Sequence, residues 1–192
     1  MVVSPQHTGL SIFAHKPESD KIMLLLIEAH GNGFMLRSGT YHIPCRVGRG
    51  GIIPGAEKRE GDGGTPAGDW RLLEVFFRAD RVERPDTHLP CQPITRDQGW
   101  CDAPDHPAYN TLVTLPFAAS HELLWRDDGA YDIIVVLGYN DAPVEPHRGS
   151  AIFFHCLAEG QIETAGCVAV ARDDMVAILA MLQENAVMRI TI

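Results

Sequence analysis

A histidine closes the apolar run Ser150-Ala151-Ile152-Phe153-Phe154-His155, and further along a cysteine sits in Thr164-Ala165-Gly166-Cys167-Val168. Cysteine attacks acyl carbons as thiolate, so a nucleophilic Cys167 wants a nearby imidazole, His155, to take its proton. Gly166 lets the backbone bend closely against a ligand and turn N–H groups toward a developing oxyanion. Base, bend and thiol are the minimum parts of a cysteine acyl-transfer site. Taken singly, each has a plainer reading. Cys167 would be a buried small hydrophobe and His155 a satisfied core residue. If the two do pair, Cys167 should be the most readily alkylated of the five thiols Cys45, Cys91, Cys101, Cys156 and Cys167.

The elements that must position these residues are mostly strands. Strand-like runs fall at 10–13, 21–28, 33–37, 69–78, 111–115, 131–139, 151–157 and 167–170, with a last one at 187–192. The turn signal His30-Gly31-Asn32-Gly33, with its Asn-Gly pair, predicts a hairpin between 21–28 and 33–37. Residues 133–137 are continuously apolar, as a strand covered on both faces requires. One helix is expected, over 173–184, with Met175, Val176, Ile178, Leu179 and Leu182 on its inner face. Asp173 and Asp174 suit its start by capping and by the dipole. Cys156 follows His155 on a strand and should point to the opposite face and pack. Residues 81–110 are rich in Pro, Asp, His and Cys and lack periodicity. They read as a loop or lid excursion within a single domain spanning 1–192.

The length of 192 residues suits one domain with a sizeable core. The formal charge of −9 argues against nucleic-acid binding. Arg46, Arg49, Lys58 and Arg59 make a local positive stretch, which reads equally well as a solvated loop. No Cys-x-x-Cys pair and no histidine spacing suggest a metal site, so neither metal nor cofactor is expected. Spacing alone leaves open whether Cys91 and Cys101 are bridged. No apolar run is long enough to span a membrane, and residues 1–15 do not read as a signal peptide.

The His155/Thr164-x-Gly166-Cys167 pattern resembles the YkuD-type L,D-transpeptidase family. So do Gly48-Arg49-Gly50-Gly51-Ile52, the stretch from Lys58 to Thr65-Pro66-Ala67-Gly68, Asp102, Tyr109-Asn110 and Gly138-Tyr139-Asn140, over most of the chain from about 47 to 182. Ala169 stands where many members carry Arg or Asn, so the branch reading Cys-Val-Ala is the closer likeness. The resemblance implies a mainly β, curved β-sandwich with its cleft between sheet and loops. It also implies a cell-envelope enzyme that crosslinks peptidoglycan stem peptides through a thioester on Cys167. A backbone carbonyl, rather than an acidic residue, is then expected to orient the imidazole.

Under that resemblance, further residues become candidates for substrate binding. The Thr164 hydroxyl either holds its turn or touches substrate. Arg148 is a solvated turn residue or grips a stem-peptide carboxylate. Tyr139 and Asn140 end a strand, where active-site residues often lie. Trp100 would cover the apolar stem of a peptide while Asp102 pairs with an ammonium group, or both brace the loop. Water in place of an amine at the thioester would make the enzyme a peptidase or carboxypeptidase. A non-catalytic wall-binding module is the rival from another class. Oligomeric state is left open.

Overall fold

The computed structural model describes residues 22–192, so the strand expected at 10–13 lies outside the described residues. The chain is mainly β, with one helix. Strands β1 (Leu24–His30) and β2 (Gly33–Ser38) form the predicted hairpin, with His30 opposite Gly33. The two turn residues are therefore Gly31 and Asn32, and not the Asn32-Gly33 pair. Gly31 takes φ 58, in the first position, where a type II′ turn needs glycine. Strand β3 (Tyr41–Cys45) continues this edge, although Pro44 hid it in the sequence.

The long β5 (Thr65–Phe77) is the spine of the fold. The short strands β4 (Ile52–Pro54) and β6 (Cys91–Pro93) run parallel to it. Strands β7 (Gln98–Cys101), β8 (Leu112–Thr114) and β9 (His121–Leu123) make a separate small antiparallel sheet. The stretch 81–110 is thus only partly irregular, since it contains β6 and β7. Strands β10 (Ile133–Leu137), β11 (Phe153–Cys156), β12 (Val168–Val170) and β13 (Val187–Ile190) complete the large sheet, in the order β12-β11-β10-β5-β13-β1-β2-β3. Its two ends meet. Arg46, just after β3, exchanges both backbone hydrogen bonds with Ala169 of β12, at 2.8 and 2.9 Å. The sheet curves almost into a closed barrel.

All five residues of β10 are buried, and each such apolar side chain contributes roughly 1.5–3 kcal/mol. They alternate between two cores. Ile133, Val135 and Leu137 join the main one, while Ile134 and Val136 join a second cluster with Phe76, Trp100, Tyr131 and Phe153. Neighbouring β11 alternates in step, with Phe154 and Cys156 in the main core and Phe153 in the second cluster. His155 therefore shares the face of Phe153, and Cys156 packs away from it, as expected.

The helix α1 is Arg172–Leu179, shorter than the expected span. Met175, Ile178 and Leu179 are buried, but Val176 is 45% exposed and Leu182 packs from beyond the helix end. Ala171 holds the N-cap position, so no side chain caps this helix. Asp173 and Asp174 act only as charges in its first turn.

Candidate active site

Cys167 sits immediately before β12, and His155 lies on β11 directly beside it. Both line a cavity of about 420 Å³, together with Gly166, Thr164, Ala151, Asp102, Glu60, Glu122 and Tyr131. The turn carrying the thiol is built on the glycine-rich segment. Gly166 takes φ 141, and a Cβ there would stand 3.0 Å from the Gly64 carbonyl. A Cβ on Gly48 would stand 2.0 Å from the Gly63 carbonyl. Only glycine lets these backbones come so close. The buried Thr65 hydroxyl joins them, accepting from Gly48 N–H at 2.8 Å and donating to the Gly166 carbonyl at 2.9 Å. The Thr164 hydroxyl is likewise used within its turn. It donates to the Cys167 carbonyl at 2.7 Å and accepts from Gly166 N–H at 3.1 Å.

The imidazole is oriented by a backbone carbonyl. His155 Nδ1 lies 2.7 Å from the Cys156 oxygen. A carbonyl only accepts, so Nδ1 carries the proton of the neutral ring and Nε2 is left with the basic lone pair. The Tyr131 ring meets the imidazole edge-on at 5.3 Å. Burial holds His155 well below the usual imidazole range, at about 4, although the Cys156 carbonyl pulls the other way.

The thiol is also neutral at rest. Burial pushes Cys167 up to about 12, and the Glu122 carboxylate adds to the rise. Its Sγ donates to the Ala151 carbonyl at 3.2 Å and accepts from Phe153 N–H at 3.4 Å, and no hydrogen bond links it to His155. Burial and the neutral form of the thiol both weigh against ready alkylation of Cys167 in the resting protein, and native labelling decides the expectation. A thiol that is 7% exposed and neutral presents little thiolate. All five cysteines are free, Cys91 and Cys101 included.

The far wall is acidic. Tyr131 donates its hydroxyl to Glu122 at 2.5 Å, and Arg126 approaches the same carboxylate at 3.5 Å. Burial pushes the Glu122 carboxyl up against these contacts, and Asp102 and Glu60 reinforce the rise. One Asp102 oxygen is buried without a hydrogen-bond partner among the described residues. Lys58 also lines the cavity, but its ammonium is held by Asp62 and the Arg59 carbonyl, both at 2.6 Å. Lys58 is thus a buried, paired residue and not part of a solvated loop.

A family model described as the L,D-transpeptidase catalytic domain, YkuD, matches residues 27–191. The chain belongs to this family. A comparison with curated proteins finds no match. Among the described residues, no three His, Cys, Asp or Glu side chains converge as metal ligands, and no helix is long and apolar enough to cross a membrane.

Within this family frame, the candidate residues divide by location. Cys167, His155, Gly166, Thr164 and Asp102 border one cavity. Arg148, Tyr139 and Asn140 line a separate cleft of about 470 Å³. Arg148 donates to the Ala56 and Gly55 carbonyls at 2.9 and 3.3 Å, and Tyr139 donates to the Arg148 carbonyl at 2.5 Å. Asn140 braces the following loop through Glu145 and Gly149. Trp100 borders neither space. It is 6% exposed, meets Phe153 edge-on at 5.2 Å and donates to Asn110 at 2.9 Å.

Sequence reasoning did not find Glu60, Lys58, Glu122, Arg126 or Tyr131 as cavity residues. The pair Glu122 and Arg126 stands at i,i+4, a spacing that signals a helix, but here β9 ends between them. Glu60 gave no local sign, because its partners Tyr109 and Ser150 are far along the chain.

Proposed function

We propose that this protein is a peptidoglycan L,D-transpeptidase of the cell envelope, acting through a thioester on Cys167. One observation carries the reading. A thiol and an imidazole whose Nδ1 is occupied by the Cys156 carbonyl border the same cavity, which leaves Nε2 as the nitrogen of His155 free to act as base.

In this scheme a stem peptide enters with its scissile carbonyl over Sγ. His155 Nε2 takes the thiol proton as sulfur attacks, so proton transfer accompanies bond formation instead of preceding it. Gly166 N–H is already given to Thr164, so Cys167 N–H is the candidate donor for the oxyanion. The imidazolium then protonates the departing amine, the C–N bond breaks and the thioester remains. The side-chain amine of a second stem peptide attacks the thioester, returns its proton through His155 to sulfur, and leaves a crosslink and the free thiol. Asp102, whose buried oxygen has no partner among the described residues, lines the same space and is the candidate partner for a substrate ammonium.

Incubation with purified disaccharide-peptides followed by mass analysis tests the reading. A crosslinked dimer that disappears in Cys167→Ala supports it. A shortened monomer alone means that water resolves the thioester and the enzyme is a carboxypeptidase. Unchanged substrate, or turnover by Cys167→Ala, refutes it.

A further inference from the structure

Residues 149–151 are gripped from outside at every position. Gly149 N–H donates to the Tyr109 hydroxyl at 2.9 Å. The Ser150 hydroxyl and the Tyr109 hydroxyl both donate to Glu60 Oε2, at 2.6 and 2.5 Å. Ala151 N–H donates to Asn110 Oδ1 at 3.0 Å. The grip coincides with unusual backbone. Ala151 takes φ 52 and Asn110 takes φ 57. The left-handed region is unfavourable for alanine, so surrounding bonds must hold it there.

The Asn110 amide has no freedom of its own. Oδ1 accepts from Trp100 Nε1 at 2.9 Å as well as from Ala151, and Nδ2 donates to the Tyr139 and Asn140 carbonyls at 3.2 and 2.8 Å. All four of its hydrogen-bonding positions are used, which fixes the oxygen toward Ala151. The next group along the chain is the Ala151 carbonyl, the acceptor for the Cys167 thiol.

We infer that Asn110, seated by Trp100 and seconded by Tyr109, is a positioning residue that holds Ala151 in its left-handed conformation and so fixes the carbonyl on which the resting thiol is parked. The inference rests on Cys167 being the nucleophile. A carbonyl acceptor stabilises S–H, whereas Phe153 N–H on the other side stabilises S⁻. If the clamp is released, Ala151 relaxes, its carbonyl swings away and only the thiolate-favouring contact remains. The thiol then becomes easier to ionise but worse placed for acyl transfer. Chemical reactivity and turnover should move in opposite directions. The other groups facing the thiol stay in place when the clamp is cut. They are His155, Tyr131, Glu122, Arg126 and Lys58, with Asp102, Glu60 and Arg49 around the same cavity.

The test uses the full chain with Asn110→Gly, which keeps the left-handed backbone accessible but removes the amide. A second variant, Trp100→Phe, keeps an aromatic ring near Phe153 and removes the donor to Asn110 along with part of the indole volume. Iodoacetamide labelling of Cys167 is followed by peptide mass across pH, beside steady-state kinetics and thermal melting. Asn110→Gly should label Cys167 about tenfold faster near neutral pH, with the labelling midpoint about one pH unit lower. Its kcat should fall on the order of tenfold to a hundredfold, with KM within about twofold. Trp100→Phe should shift both readouts in the same directions by less, and it decides the matter if Asn110→Gly does not fold. A lowered melting temperature with an unchanged labelling profile would mean bracing alone and overturn the inference, as would labelling and turnover that fall together. Turnover by Cys167→Ala would instead remove the nucleophile, a different outcome that the labelling of the Asn110 variant does not mimic.

Discussion

Thr65 Oγ1 lies 2.9 Å from the carbonyl of Gly166, a contact across 101 residues of chain. The same oxygen accepts from Gly48 N–H, so one hydroxyl ties β5, the glycine-rich segment and the nucleophile turn together. A side chain outside the reacting centre thereby holds the turn that presents the thiol.

Thr65→Val keeps shape and removes the hydroxyl. It leaves a buried N–H and a buried carbonyl without partners, which costs about 1–3 kcal/mol. At roughly 2–4 °C per kcal/mol, the melting temperature should drop by several degrees. Turnover should fall further than stability alone explains. A melting point unchanged within error in Thr65→Val would show that the hydroxyl does not hold these segments.

Acid should unfold the protein through His155. Its folded value of about 4 lies below the ordinary imidazole value, because burial disfavours the charge. The folded state therefore binds fewer protons than the unfolded state between about pH 6.5 and 4. The contribution is fully present above the unfolded value and is lost as pH falls through that window, on the order of 3 kcal/mol in all. Urea midpoints at about pH 7 and 5 should differ clearly in the wild type and much less in His155→Asn.

In the resting protein, Cys91 should be labelled by iodoacetamide before Cys167. Cys91 is only partly buried, whereas burial pushes Cys45, Cys156 and Cys167 each up to about 12. An acylating substrate should reverse the order and modify Cys167 alone, because the cavity brings carbonyl, thiol and base together. Native labelling at about pH 7.5, read by peptide mass, checks both halves. Rapid labelling of Cys167 without substrate would show that the thiol is ionised at rest.

Trp100 and Asp102 should separate cleanly. Trp100→Ala empties a buried site in the second core cluster and should cost about 3–5 kcal/mol, with KM changed little in whatever folds. Asp102→Asn removes a carboxylate that has, among the described residues, an unpartnered buried oxygen beside Glu122. It should leave the melting temperature unchanged or higher while raising KM. Equal melting losses and equal kinetics in the two variants would contradict this division.

Local pattern carried much of the sheet. The β1–β2 hairpin was legible from glycine at a turn, and β10 from five apolar residues in a row. Strand β3 was not, because Pro44 argues against a strand, yet β3 lies at the end of the sheet path, where a missing N–H is tolerated. Strands β6 and β7 sat in a Pro- and Asp-rich stretch whose pairing partners are distant. Within the site, Cys167 and His155 stood out because their chemistry is recognisable by type and short spacing. Glu122, Tyr131 and Glu60 did not, because a carboxylate becomes part of a cavity wall only once strands far apart in sequence meet. Tyr109 and Asn110 were visible as a motif, but their hold on residues 149–151 depends on left-handed backbone that no composition reveals.

The place of β13 bears on how such a chain comes off the ribosome. Val187–Ile190 lies between β5 and β1, antiparallel to the first and parallel to the second. Until these four residues emerge, β1 and β5 lack the strand that lies between them, although Arg46 and Ala169 can already join the other ends of the sheet. Both exposed edges wait through synthesis, when unpaired strands are most prone to join other chains. Pairing this distant in sequence also places folding in the slow range, on the order of milliseconds to seconds. A chain released before Val187 would carry both the thiol and the imidazole, yet present two open strands to its neighbours.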